Sequence, residues 1–310
     1  MQTLLSILPI FLIVGLGYFL RNTKIAKNDW VVPLNSFVYY VALPALIVKN
    51  ISNLDWKSTA VLEIVGWNVL FLLIASVILV SLLSVFRISK SYKSAIFLTA
   101  IVSNSVYLGY PLVSRVLEYG VGSEQYLTLS LIGAVQLVVG MVLALIVIEF
   151  FYTSSKNTGK ILKHISKNPL VIASIVGVLL SLFTLPYDLK KLIDDTLGLL
   201  ALTASPLALF ALGDFLSGHK IHEKLHLVGF AVILKMIALP VIAIMLFDNL
   251  VHVDETVRMT SILLASMPTA VTAFVIAESY KLDTTFVGVV MLITTVLSLP
   301  ALTVLVGILK

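Results

Sequence analysis

The chain of 310 residues has no cysteine and very little charge. Without cysteine, disulfides, thiolate metal sites and thiol nucleophiles are excluded, and the redox compartment leaves no mark on the sequence. Charged residues make up 12% of the chain, about half the share of an ordinary soluble domain. Apolar residues make up 59%, and the mean hydropathy is +1.08. There is too little polar surface to coat a water-soluble particle, so the chain must face lipid. No polar stretch is long enough for a separate soluble domain. The five histidines (His164, His219, His222, His226, His252) fall in loops or at span edges. The spacing of His219, His222 and His226 could bind a metal on one helical face, but a solvated basic loop is the simpler reading. No HExxH motif or pair of mid-span aspartates occurs, so the sequence offers neither an enzyme's machinery nor a metal or cofactor site. The net charge of +5 is spread over short loops and is no nucleic-acid signal.

Long apolar runs are what the chain does have. Hydropathy predicts membrane helices at 3–20, 31–49, 62–86, 94–117, 126–150, 169–185, 192–216, 226–247, 257–280 and 284–308. The first run follows Met1-Gln2-Thr3, lacks a basic leader and ends at Arg21 without a small-residue cleavage site. It is expected to be a membrane helix rather than a cleaved signal. Thirteen Lys and Arg residues fall in one set of alternate loops and seven in the other. The positive-inside rule puts the richer set in the cytoplasm. The prediction is a multi-pass protein of the cell membrane with both termini outside.

The polar, basic segment 152–168 lies at the middle of the chain. It reads as a cytoplasmic linker between residues 1–151 and 169–310. An odd number of spans on each side makes the second half enter the membrane in the opposite sense, which is the arithmetic of a 5+5 inverted repeat. The fold class expected is therefore all-α, with ten transmembrane helices.

Two spans are interrupted. The fourth carries Ser103-Asn104-Ser105-Val106-Tyr107-Leu108-Gly109-Tyr110-Pro111, and the ninth Ser266-Met267-Pro268-Thr269-Ala270. Proline lacks an amide donor and clashes with the preceding turn. In lipid the freed groups need polar partners or a wet cavity. Half-helix N-termini favour anions, and half-helix C-termini favour cations. Breaks at equivalent places in two halves point to a carrier's binding site.

Lys235 in the eighth span is a second pointer, since a lysine at bilayer depth costs about 2.5–3.5 kcal/mol. It would neutralise the carbonyl ends of the broken helices or pair with a substrate carboxylate. Gln136 in the fifth span can both donate and accept, with its counterpart near Thr294 or Thr295. Asn68 in the third span is a weaker candidate of the same type. Glu63, Glu149, Asp214 and Glu278 lie near span ends and read as solvated interface residues.

Pro44-Ala45-Leu46, the run from Asn104 to Leu112, Pro206-Leu207-Ala208-Leu209-Phe210-Ala211-Leu212-Gly213, and Met267-Pro268-Thr269-Ala270-Val271 together resemble the auxin efflux carrier family. That family includes bacterial malate permeases and the plant PIN auxin exporters. The resemblance runs over essentially the whole chain. It implies a scaffold of spans 1, 2, 6 and 7, a moving transport domain of spans 3–5 and 8–10, and a homodimer. It also implies that spans 4 and 9 cross at Pro111 and Pro268, beside Gly109. By the same resemblance Asn104 and Gln136 fall in the substrate region. The short linker favours a malate-permease-like bacterial member.

The function expected is secondary transport of a small organic anion, malate or a related carboxylate or an auxin-like acid, by alternating-access elevator motion. Asn104, Ser105, Gln136, Thr269 and Lys235 are the expected substrate-site residues. H+ or Na+ is the candidate coupling ion. The alternatives are an ion channel, which single-channel currents would reveal, and a ligand-binding membrane sensor, which would bind without flux.

Overall fold

The computed structural model describes residues 2–23, 30–53, 58–120, 123–152, 166–183, 185–217 and 224–309. Most of the basic linker (153–165), with His164, and the loop holding His219 and His222 lie outside the described residues. Helices follow one another along the chain as α1 (Gln2–Asn22), α2 (Val31–Ser52) and α3 (Thr59–Val85). Next come α4, as α4a (Lys90–Ile101) and α4b (105–116), then α5 (Glu124–Tyr152) and α6 (Pro169–Leu182). α7 is made of Tyr187–Leu202 and Ala204–Ser217, and α8 is Leu225–Leu250. α9 is split into α9a (Glu255–Ala265) and α9b (Val271–Ser279), and α10 is Thr284–Leu309. No β-strand occurs among the described residues.

Among the described residues five helices, α2, α3, α5, α7 and α8, are long and apolar enough to cross a membrane. α10, bent by 50° between Ser298 and Pro300, makes a sixth. α4 and α9 miss that length because each is interrupted. α6, at 14 residues, rises about 21 Å at 1.5 Å per residue. Helix starts carry polar caps: Asn168 accepts from the Leu170 amide (2.9 Å), Asp254 from Thr256 (2.8 Å) and Asp283 from Phe286 (2.9 Å). Each satisfies an amide with no partner inside its helix.

Three prolines are each preceded by a widened π-turn. Val38–Ala42 precedes Pro44, Ser105–Gly109 precedes Pro111, and Leu234–Ala238 precedes Pro240. A proline in a helix deprives the carbonyl four residues back of its partner and pushes its ring against that carbonyl. Widening the turn before the ring relieves the crowding without breaking the helix. At these three places the helix runs on through the proline.

The second half of α7 packs along α1, and α6 packs along the second half of α2. Both seams need glycine. A Cβ on Gly213 would fall 1.9 Å from the Val14 carbonyl oxygen, and one on Gly17 would fall 2.2 Å from that of Phe210. At the other seam a Cβ on Gly177 would meet Ile51 Cβ at 2.7 Å. Gly213→Ala should therefore force α1 and α7 apart. Overpacking of this kind costs about 1–3 kcal/mol, and the expected result is a lower melting temperature in detergent with a smaller monodisperse fraction. Unchanged melting would mean that the seam yields freely.

Candidate substrate site at the crossing of the broken helices

The two interruptions meet. The Asn104 amide donates to the Pro268 carbonyl (2.8 Å), and the Ala270 amide donates to the Val102 carbonyl (3.0 Å). Ser103 and Thr269 are thereby paired as an isolated antiparallel bridge. Extended backbone, costly in an apolar interior, is tolerated here because each break satisfies the other.

The last four carbonyls of α4a have distinct fates. That of Leu98 accepts from the Val102 amide (3.2 Å). That of Thr99 accepts from Thr269 Oγ1 (2.7 Å), and that of Ala100 from Lys235 Nζ (3.0 Å). That of Ile101 lies against Gly140 of α5, where a Cβ would come within 3.1 Å. Lys235 Nζ also donates to Ser103 Oγ. α9a closes differently, on its own chain: the Ser266 amide and hydroxyl return to Ile262, and the Met267 amide to Leu264. Beyond the break, the Thr269 amide donates to Thr294 Oγ1 (3.2 Å).

The residues expected at the site are buried at or around this crossing, in two roles. Thr269 and Lys235 are already engaged with α4a. Asn104 and Ser105 stand at the start of α4b, where the first amides have no partner inside the helix. Among the described residues Asn104 Oδ1 and Ser105 Oγ have no hydrogen-bond partner. Gln136 donates through Nε2 to Asn68 Oδ1 and to the Ser261 carbonyl, both at 3.1 Å, and leaves Oε1 without a partner. The Ser261, Thr260 and Thr272 hydroxyls on α9 are also buried and unpartnered. Gly109 packs against α9a, where a Cβ would fall 2.6 Å from Leu264 Cδ2. The proline positions divide. The Pro268 carbonyl is part of the crossing, whereas Pro111 lies in the first turn of the helix Tyr110–Val116, beyond the bridge. The chains pair at Ser103 and Thr269 because amides and carbonyls are available there.

The same paired break is embedded in a recognisable sequence. A family model described as "Membrane transport protein" matches residues 3–306. The chain belongs to this membrane transport protein family. An uncharacterized transporter of Methanocaldococcus jannaschii is 26% identical, with 94% of each chain covered. A putative malonate transporter of Rhizobium meliloti is also 26% identical, over 96% of this chain and 92% of the relative. A probable auxin efflux carrier component of rice is 30% identical over 44% of this chain and 33% of its own. As a member of this transport family the chain is a multi-pass membrane protein that acts on a small-molecule substrate.

Sequence reasoning left some groups of this transport-family protein unnoticed. Thr99 gives the crossing a carbonyl, and its own hydroxyl is tied back to Ala95 and Ile96 (both 3.0 Å). Asn168 donates to Tyr39 Oη on α2 (2.7 Å) and to Tyr280 Oη at the end of α9b (3.1 Å). Two acids expected at solvated edges are buried, Asp214 and Glu149. Asp214 lies 3.8 Å from Arg21 Nε across the α1–α7 seam. Glu63 is exposed, as expected. A cavity of about 210 Å³ separates α2 and α6 from α3 and α5, lined by Ile51, Val65, Val69, Ala134, Val135, Val138, Val139 and Val178.

Proposed function

We propose that the protein is a secondary transporter of a small organic anion, with its binding site at the crossing of α4 and α9. The observation carrying this is the juxtaposition of the α4b N-terminus with the buried, unpartnered Ser105 hydroxyl, which can donate to a carboxylate, and with the unpartnered Asn104 Oδ1 and Gln136 Oε1, which can accept from a substrate hydroxyl or protonated acid group. Free amides at a half-helix N-terminus favour a carboxylate. The adjacent side chains can orient it, and Lys235 supplies a positive charge one layer away. The putative malonate transporter among the relatives supports a carboxylate substrate, with malate and auxin-like acids as close chemical neighbours.

The architecture proposed is a 5+5 inverted repeat of ten spans, α1–α5 and α6–α10. Reciprocal packing supports it: α1 lies on α7 while α6 lies on α2, a relation that survives exchange of the halves. On this reading α1, α2, α6 and α7 form the scaffold, and α3–α5 with α8–α10 form the moving unit. The apolar cavity between α2, α6 and α3, α5 marks loose packing across that division, as an elevator motion requires. A homodimer through the scaffold, and termini outside the cell membrane, complete the proposal.

Uptake of labelled malonate, malate and an aromatic monocarboxylate into proteoliposomes tests it. Saturable uptake of at least one is expected, with cross-inhibition by the others. Binding without flux would favour a sensor, and currents far above carrier turnover would favour a channel.

A further inference from the structure

We propose that the side-chain ammonium of Lys235 stands in for a coupling cation at the α4 break, so that transport needs no dissolved monovalent cation there. This rests on the transporter reading. It starts from how α4a ends. Its own segment meets only the Leu98 carbonyl, and the carbonyls after it look outward to other elements. A helix C-terminus carries partial negative charge. Unwound carbonyls and half-helix C-terminal ends are what broken-helix carriers use to hold Na+. The Ala100 carbonyl and the Ser103 hydroxyl are two such oxygens, and Lys235 Nζ donates to both.

Lys235 is fully buried. It makes no ion pair among the described residues, where the salt bridges involve Arg21 and Arg258 instead. An unpaired buried charge is strongly unfavourable unless dipoles and acceptors replace its hydration. Here the acceptors are those that would ligate a metal cation. The widened turn Leu234–Ala238 before Pro240 carries this lysine. The α9 break has no comparable need, because α9a is closed by Ser266 and Met267. One tethered cation therefore serves one break, and it cannot be carried down a gradient.

The test compares the wild type with Lys235→Ala and Lys235→Met in matched NaCl, ethylammonium chloride and choline chloride. Both thermal unfolding and solute uptake are read. The wild type should melt and transport identically in all three salts. Lys235→Ala should melt several degrees lower in choline, and Na+ or ethylammonium should restore part of the loss in a saturable way. Adding Ser103→Ala should remove that restoration. Lys235→Met fills the space without charge and should be destabilised in every salt. Sodium stimulation of the wild type would overturn the proposal. So would indifference of Lys235→Ala to cations, or wild-type behaviour of Lys235→Met. If Lys235→Ala does not fold, the wild type and Lys235→Met decide. Melting needs no substrate, so cation rescue without organic-anion flux would sink the transport reading alone.

Discussion

Asn104→Ala should reduce organic-anion uptake about 10- to 150-fold while shifting the melting temperature by no more than a few degrees. Asn104 Oδ1 has no hydrogen-bond partner among the described residues, and the backbone amide that anchors Asn104 to Pro268 survives the substitution. Little stability is therefore lost. A hydrogen bond to a charged group contributes about 1.5–3 kcal/mol, and each 1.4 kcal/mol is about tenfold in affinity, which gives the range. Ser105→Ala should behave similarly with a smaller effect, since a hydroxyl has fewer donors to offer. Normal uptake by Asn104→Ala, measured as initial rates over a substrate series, would move the binding site away from the crossing. A large fall in melting temperature would mean that Asn104 is a structural residue.

Asn168→Ala should cost about 2–4 kcal/mol of stability. The side chain does three things at once. It caps α6 at the Leu170 amide and donates to Tyr39 Oη and Tyr280 Oη. Loss of a cap costs about 1 kcal/mol, and loss of the bonds to the two tyrosine hydroxyls adds about 1–3 kcal/mol. Tyr39 belongs to α2 and Tyr280 follows α9b, so the asparagine ties one proposed scaffold helix and its own to the proposed moving unit. Asn168→Asp keeps an acceptor for the cap and can take bonds from both tyrosine hydroxyls, so it should recover much of the loss. Thermal unfolding of the two variants checks this, with hydrogen exchange at the start of α6 as a local readout. Equal melting of Asn168→Ala and wild type would show that the cluster holds nothing together.

The interruption of the fourth and ninth spans was legible because serine, asparagine, glycine and proline are gathered there within apolar runs. Lys235 was legible because one charge stands out in a span of uncharged neighbours. Its partner was not, since the Ala100 carbonyl is a backbone group 135 residues away and leaves no trace in residue identity. Thr269 looked like a substrate ligand because it is polar and next to a break. Its hydroxyl donates to α4a in this structure, a contact that only the approach of the two broken helices reveals. Pro111 was expected at the crossing because the family resemblance implies it. A widened turn absorbs the proline, and the chains pair earlier, where amides are free to donate. Asn168 lay at the edge of a polar linker and resembled a loop residue. Its role comes from two tyrosines brought to it by other helices.

The unlike endings of α4a and α9a carry a consequence for resting behaviour. One ending is completed by side chains from its neighbours, the other by its own backbone. In an inverted repeat, turning from one side of the membrane to the other amounts to the two halves trading shapes. On the proposed inverted-repeat, alternating-access reading, halves finished by different means would not trade evenly, so the inward and outward forms would differ in energy and the idle protein would wait facing one compartment.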